Sequence, residues 1–402
     1  MQMKHAPVSF AFPPLLACLA GLLLAIACAR PIEKKMSSPM PVPEVKVVWD
    51  TLTFPDMLEP INLTTGFSSA VASSDGLHLY RFDSRTTRVE AYDVENRRLS
   101  GVHPFQEEGP DGIGFGIKKI SLAADGGLLI SSATRQGHFH LDGRLKKEIK
   151  RPKFANDQDQ PLTYTYLLFI ENPKKTGEYL TLVQNLDKGN APFLLISDAN
   201  GKLLNRVEFP ELNKMTEKLA VIRDGGQWMG SMGASPMVSY TDEQLLIQNS
   251  AFNEAYRYFF ADGQLQFFRW HGPYVGAESA FIPPKKLKPD TPAVAETYKA
   301  LDESIRYGRL NWDPQLQRYY RLSTRDKMSQ DPDSGGFYRS LGTQTFVSVF
   351  DADLNLIAES RLDGLHVHPG HGFARQGQLL TFRDRDEDLI GLRFQFDLTE
   401  EE

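Results

Sequence analysis

Beyond residue 44 one pattern of apolar and polar positions recurs along the chain. Two or three apolar or aromatic residues run into an Asp-centred turn, then a polar and an apolar residue follow. The copies begin with Tyr92-Asp93-Val94-Glu95-Asn96 to Leu99, Phe139-His140-Leu141-Asp142-Gly143 to Leu145, and Leu195-Ile196-Ser197-Asp198-Ala199-Asn200-Gly201 to Leu203. They continue with Phe259-Phe260-Ala261-Asp262-Gly263 to Leu265, Val349-Phe350-Asp351-Ala352-Asp353-Leu354-Asn355 to Ile357, and Phe394-Gln395-Phe396-Asp397-Leu398. Asp-Gly and Asn-Gly supply the positive φ that tight turns need, so each copy predicts a β-hairpin. Earlier in most units a second strand pair has its own turn, as at Ser74-Asp75-Gly76 and Ala124-Asp125-Gly126. Two hairpins make a four-stranded antiparallel sheet. Spacings of roughly 45–60 residues, stretched once to about 90, are those of propeller blades. Six copies predict an all-β, six-bladed β-propeller, against the simpler alternative of a β-sandwich with ordinary turns. The sixth copy lacks a final strand, whereas Val45 to Thr53 reads as a strand before the first blade. Its expected role is to complete the last blade and close the ring.

The pattern breaks between His271 and Leu310. Pro283-Pro284-Lys285-Lys286 reads as loop, and Asp290 or Thr291 can cap a helix with Pro292 in its first turn. Val294, Tyr298, Leu301 and Ile305 then recur at helical spacing, which predicts a helical insertion near 290–307, packed over one face of the propeller.

The N-terminus follows a different logic. A charged start at Lys4, an apolar run from Leu15 to Ala27 and a small residue before Cys28 form a secretory signal. A cysteine at the cleavage point resembles the lipobox of bacterial lipoproteins, which implies acylation of Cys28. The box departs from that pattern at Ala25, where leucine is usual; Leu15-Leu16-Ala17-Cys18 fits better there but truncates the apolar core. A plain cleaved signal and an uncleaved anchor are the alternatives. Pro7, Pro13 and Pro14 interrupt the first half of any span. The division expected is a signal over 1–27, a proline-rich linker over 28–44 and the propeller over 45–402.

Composition narrows the partners. Removing residues 1–27 takes away one lysine and no acid, moving the net charge from −6 to −7. Nucleic acid, which is held by clustered Lys and Arg, is excluded as a partner. The two cysteines, Cys18 and Cys28, both lie in the signal segment, so the folded part has no disulfide and no cysteine metal site.

Few residues point to chemistry. His366-Val367-His368-Pro369-Gly370-His371 is the sharpest cluster: His366 and His368 share a side of a strand, and the Pro-Gly turn could return His371 to them. Three imidazoles can hold zinc, but solvent-facing loop histidines are the commoner outcome, so no metal or other cofactor is assigned. His138 and His140 alternate in the same way. Asp384-Arg385-Asp386-Glu387-Asp388 and Asp331-Pro332-Asp333-Ser334-Gly335-Gly336 lack the EF-hand pattern and read as solvated turns. Gly112-Ile113-Gly114-Phe115-Gly116 has no strand-to-helix context for phosphate. Within Arg318-Tyr319-Tyr320-Arg321, alternation sends Tyr319 and Arg321 one way and Arg318 and Tyr320 the other. Tyr319 and Arg321, with His366, His368 and His371, are the candidate ligand contacts.

With these segments in view, the chain resembles the six-bladed propeller lipoproteins of Gram-negative bacteria, and within them a branch known as a domain of unknown function. The likeness is carried by Glu108-Gly109-Pro110-Asp111-Gly112-Ile113-Gly114, by Leu310-Asn311-Trp312-Asp313-Pro314 through Leu322, and by Val347 to Glu359. It implies no catalytic residue. The function expected is a lipid-anchored envelope module that binds a small molecule or an envelope protein, facing the periplasm from the outer membrane. A hydrolase or lyase acting on a sugar or lactone, metal-assisted through the histidines, is the second reading. A structural scaffold within an envelope complex is the third.

Overall fold

The computed structural model describes residues 33–36, 42–54, 67, 70–73, 75–116, 119–152, 164–185, 191–366, 368–385 and 388–398. The signal segment, Cys28, most of the linker and Val367 lie outside the described residues. Six antiparallel sheets follow one another along the chain, over residues 71–104, 119–148, 164–208, 236–269, 306–362 and 371–397. In the fifth, Arg306–Tyr307 and Asn311–Asp313 both pair with the long strand Arg318–Met328. In the sixth, the fourth position is taken by Lys46–Thr53, antiparallel to Asp388–Asp397, with Lys46 opposite Asp397 and Thr53 opposite Ile390.

The recurring aspartates sit where the third strand of a sheet ends. Five of the six carboxylates accept backbone N–H bonds inside their own turns: Asp93 from Asn96 at 2.9 Å, Asp142 from Arg144 at 3.1 Å, Asp198 from Lys202 at 2.9 Å, Asp262 from Gln264 at 2.9 Å and Asp351 from Asn355 at 2.8 Å. This is why aspartate recurs there: it supplies the acceptor that the turn's own carbonyls cannot. Gly143 (φ 88°) packs so closely that a Cβ would stand 2.7 Å from the Pro104 carbonyl oxygen. Turns without glycine use Arg97 or Leu354 in the left-handed region instead.

Most central strands are buried on both faces, and alternate residues enter different cores. Leu128 and Ile130 pack with Phe82 and Val89 of the first sheet, while Leu129 packs with Phe169 and Tyr179 of the third. Leu245 and Ile247 join Leu180 and Leu182 of the third sheet, while Leu246 joins Tyr319 and Phe350 of the fifth. Tyr320 meets Leu379 and Phe394 of the sixth. Leu380, Phe382 and Leu389 of the sixth then meet Leu79 and Tyr92 of the first. Period-two alternation thus puts an apolar layer between every consecutive pair of sheets, the last and first included.

The structure departs from the sequence expectation in four places. The helix runs Pro292–Asp302 and stops short of 307, because Arg306–Tyr307 pairs with Ser323–Thr324 and the Tyr307 hydroxyl donates to the Val275 carbonyl at 2.7 Å. Its Thr291 cap makes no side-chain cap bond. A 3-10 segment, Pro210–Lys218, and a hairpin, Leu219–Asp224 with Gln227–Gly233, precede the fourth sheet, and Lys286–Leu287, at the end of the stretch read as loop, adds a parallel third strand to that hairpin to make a seventh, smaller sheet. Within the stretch read as a spacer, Glu33–Met36 forms a strand parallel to the outer strand of the fourth sheet, Glu33 opposite Gln266. A docked edge strand holds that part of the linker against the domain.

The turn carboxylates make stability depend on acid. Asp75, Asp93, Asp125 and Asp142 all lie below their ordinary value of 3.8, first through side-chain donors on Ser73, Asn96, Lys146 and Arg144, then through turn N–H groups. A carboxylate depressed in the folded state stabilises it above the unfolded pKa and loses that contribution as pH falls. Urea midpoints should therefore drop as pH is lowered from about 5 to about 2.5. Asp75→Asn combined with Asp142→Asn should flatten the decline; an identical slope would show that these turns do not contribute to it.

Candidate functional site

Tyr319 and Arg321 share one face of their strand, as alternation requires, but that face is interior. Each is 1% exposed. Tyr319 stacks obliquely on Trp312 at 4.5 Å, and its hydroxyl accepts from Gln244 Nε2. Burial pushes the phenol up to about 12, with Arg257 and Gln244 opposing. The Arg321 guanidinium lies 5.0–5.6 Å from the ring centres of Phe350, Tyr307 and Trp270, and Nη2 donates to Asn253 Oδ1 at 2.7 Å. Burial lowers its pKa to about 10, while Glu359 and Tyr307 favour the cation. Beside it, Glu359 accepts from Ser348 Oγ at 2.8 Å and from the backbone N–H groups of Tyr274 and Val275 at 2.7 and 3.2 Å. These residues form a buried polar lock between the fifth sheet and the 271–279 loop, and they do not present a surface to solvent.

The histidines separate. His366 is exposed and its carbonyl accepts from Thr343 N–H at 3.2 Å. His368 contacts the Thr324 hydroxyl at 3.5 Å and its Nδ1 accepts from Gly370 N–H at 3.3 Å. Packing against protein lowers its pKa, helped by Arg306 and Arg383 and opposed by Asp326. His371 opens the inner strand of the sixth sheet, opposite Phe382. His138 holds Asp125 at 3.0 Å beside Lys146, a turn-bracing pair. Among the described residues, no group of three His, Cys, Asp or Glu is placed to hold a metal ion.

A cavity of about 190 Å³ lies beneath the helical insertion. Its wall combines Lys218 from the end of the 3-10 segment, Ser231 from the hairpin, Ser250 and Ser279 from loops of the fourth sheet, and Tyr298, Asp302 and Arg306 from the helix and the segment after it. The Lys218 side chain is nearly inaccessible; its ammonium donates to the Ser279 carbonyl at 2.6 Å and sits 5.8 Å from the Phe252 ring centre. That carbonyl is its one hydrogen-bond acceptor among the described residues, although an ammonium has three donors. Arg306 pairs with Asp302 at 3.0 Å, and its Nε is shielded with no acceptor among the described residues. Burial raises the Asp302 pKa, Arg306 opposing and Asp326 adding to it. Arg306 is the cross-strand partner of Thr324, whose hydroxyl contacts His368. Of the residues singled out in the sequence, Tyr298, Leu301 and Ile305 line this cavity, and His368 reaches its edge through Thr324.

Lys218, Asp302 and Arg306 escape sequence reasoning because each is a lone charge in a stretch without a motif. The one available signal was the interruption of the blade repeat, which marks inserted segments, and those segments build the cavity.

The stacked antiparallel sheets define an all-β protein of propeller-like architecture. More narrowly, the chain belongs to the DUF4221 family, a domain of unknown function whose profile matches residues 44–361. It is similar to the crystal structure of a member of that family from Bacteroides vulgatus, at 14% identity and a TM-score of 0.60, covering 88% of this chain and 99% of that one. A weaker likeness, at 8% identity and a TM-score of 0.46, joins it to a Bacteroides fragilis protein provisionally described as exported, covering 91% of this chain and 100% of that one. The β-propeller domain of Myceliophteria thermophila Cps50 (Swd1) matches at 9% identity and a TM-score of 0.35, covering 81% of this chain and 95% of that one. No curated protein matches the chain.

Proposed function

We propose that the protein is a lipid-anchored module of the cell envelope whose six sheets are the blades of a closed ring, and that it binds a small acidic, hydroxyl-bearing molecule beneath the helical insertion. The observation that carries the binding reading is Lys218. A cation taken out of water needs a compensating partner, and a single carbonyl is a poor one. A ligand carboxylate or phosphate would complete its coordination, with Arg306 as a second cationic contact and the three serines available to hydroxyl groups. Apolar layers between all six consecutive sheets support the ring. The secretory signal ending at Cys28 supports the anchor, and no helix among the described residues is long and apolar enough to cross a membrane. A periplasm-facing outer-membrane position is the corresponding proposal for location.

Thermal unfolding of the purified full-length protein with a panel of sugar acids, sugar phosphates and hydroxy-dicarboxylates tests the cavity. At about one hundred times its Kd, a bound compound stabilises by roughly 2.7 kcal/mol, a readily measured rise in midpoint. The rise should vanish in Lys218→Met. A panel without effect, or a rise that survives Lys218→Met, would count against this site. For the anchor, an alkynyl fatty acid fed to expressing cells should label the wild type and not Cys28→Ala. Label persisting in Cys28→Ala would exclude that residue as the attachment point.

A further inference from the structure

The inner edges of three different sheets bring two cations together where a ring has its axis. Lys119 opens the innermost strand of the second sheet, Lys119–Leu122, with Ser121 on the same side of it. Tyr240 ends the innermost strand of the fourth sheet, Pro236–Tyr240. Arg309 lies between the two short strands at the inner edge of the fifth sheet. Arg309 also lines a small cavity with Ala72 and Leu79 of the first sheet and Gly372 and Phe373 of the sixth. Residues of the first and sixth sheets thus meet Arg309.

Its charge is unbalanced. Both cations are half-buried, and neither forms an ion pair or a side-chain hydrogen bond with any described residue. The Nε of Arg309 is shielded from solvent and has no acceptor among the described residues. Asp242, in the turn after Tyr240, is exposed. Burial lowers the pKa of Lys119, and Arg309 lowers it further; burial also lowers that of Arg309, with Tyr240 opposing. Burial pushes the Tyr240 phenol up to about 12, Arg309 and Ser121 opposing and Asp242 adding to it, so its O–H remains a donor at neutral pH. Two like charges and a neutral donor in a narrow interior are the complement of an anion: the cations supply charge, and the guanidinium supplies directional N–H groups.

We propose that Lys119, Arg309 and Tyr240 form an oxyanion site on the axis of the ring, taking phosphate, sulfate or the carboxylate of a small acid. The site is separate from the cavity beneath the helix. It rests on the ring reading, which brings the inner-edge strands carrying the three side chains to a common axis.

The test is thermal unfolding of the full-length protein titrated with sodium phosphate, sodium sulfate or sodium acetate at constant ionic strength held with sodium chloride. A saturable rise in midpoint with at least one oxyanion is expected. Arg309→Met should weaken the apparent affinity at least tenfold, and so should Lys119→Met. Without oxyanion, Lys119→Met should unfold at a higher temperature than wild type, because it removes the like-charge neighbour. The titrations are repeated in Lys218→Met, which removes the cavity's own anion contact: a response that persists in Lys218→Met and falls in Lys218→Met/Arg309→Met belongs to this site, and one that disappears in Lys218→Met belongs to the cavity. A response to phosphate or sulfate but not acetate would name inorganic oxyanions as the class; the reverse would name carboxylates. No oxyanion-specific response in wild type, or equal responses in wild type and Arg309→Met, would overturn the proposal. If Arg309→Met does not fold, Lys119→Met carries both comparisons.

Discussion

Replacing Glu359 with alanine is expected to lower the stability of the folded domain by about 3–5 kcal/mol, the usual cost of removing one partner from a buried charged network. Glu359 is fully buried and accepts bonds from Ser348, Tyr274 N–H and Val275 N–H, so the substitution strands three donors at once. It also leaves the Arg321 cation buried without the carboxylate that favours its charge. The carboxylate fills the space beside Gly272, where an added Cβ would stand 2.3 Å from its oxygens; alanine would leave a void there. Glu359→Gln retains acceptor capacity and shape, and should lose markedly less. Urea unfolding at neutral pH separates the two. Equal midpoints for Glu359→Ala and wild type would mean that the 271–279 loop is held by something other than this lock.

Removal of the strand Lys46–Thr53 is the second change expected to have a large effect. This strand covers the edge of Asp388–Asp397 over eight residue pairs, and Asp50 forms a two-pronged ion pair with Arg393. Its flanks are tied in as well. Val45 is buried and its N–H donates to Ser360 Oγ at 2.7 Å, the Pro43 carbonyl accepts from Glu359 N–H at 3.1 Å, and Phe54 packs against Phe382. The burial of Val45 and Phe54 alone contributes roughly 1.5–3 kcal/mol each, a large share of a marginal total. A protein starting at residue 56 should therefore lose cooperative unfolding or fail to accumulate in soluble form, since it exposes an apolar sheet edge. Undiminished soluble yield with an unchanged midpoint would show that the strand is dispensable.

Much of the architecture was legible because one constraint repeats. A strand buried on both faces carries apolar residues on both of its sides, and each turn that ends such a strand must provide its own acceptor, so a largely apolar run into an aspartate recurs from sheet to sheet. The strand Lys46–Thr53 could be assigned to the last sheet because the sixth copy lacked a partner strand. The inserted segments were harder to read. The helix ended early because a two-residue strand, Arg306–Tyr307, found a partner far along the chain, and no local pattern encodes that. Tyr319 and Arg321 were placed on the correct side of their strand, but alternation cannot say whether that side meets solvent or another sheet. Lys218, Arg306, Lys119 and Arg309 gave no signal as single charges; they become informative only when folding removes their solvent and, among the described residues, pairs no carboxylate with Lys218, Lys119 or Arg309.

The axial site exists only if the sheets enclose an interior, so the closed ring is the claim on which it depends. Asp50 and Arg393 are direct cross-strand partners that join the strand Lys46–Thr53 to the strand Asp388–Asp397. The chain's two cysteines, Cys18 and Cys28, lie outside the described residues. The most direct measurement is the urea midpoint of Asp50→Cys/Arg393→Cys, made with Cys18 and Cys28 replaced by serine, under oxidising and reducing conditions. A disulfide closing so long a loop stabilises by about 5 kcal/mol if the native geometry accepts it. The oxidised protein is expected to be monomeric, cross-linked and clearly more stable than the reduced one. Failure to form the intramolecular cross-link, or coincident oxidised and reduced transitions, would contradict the ring.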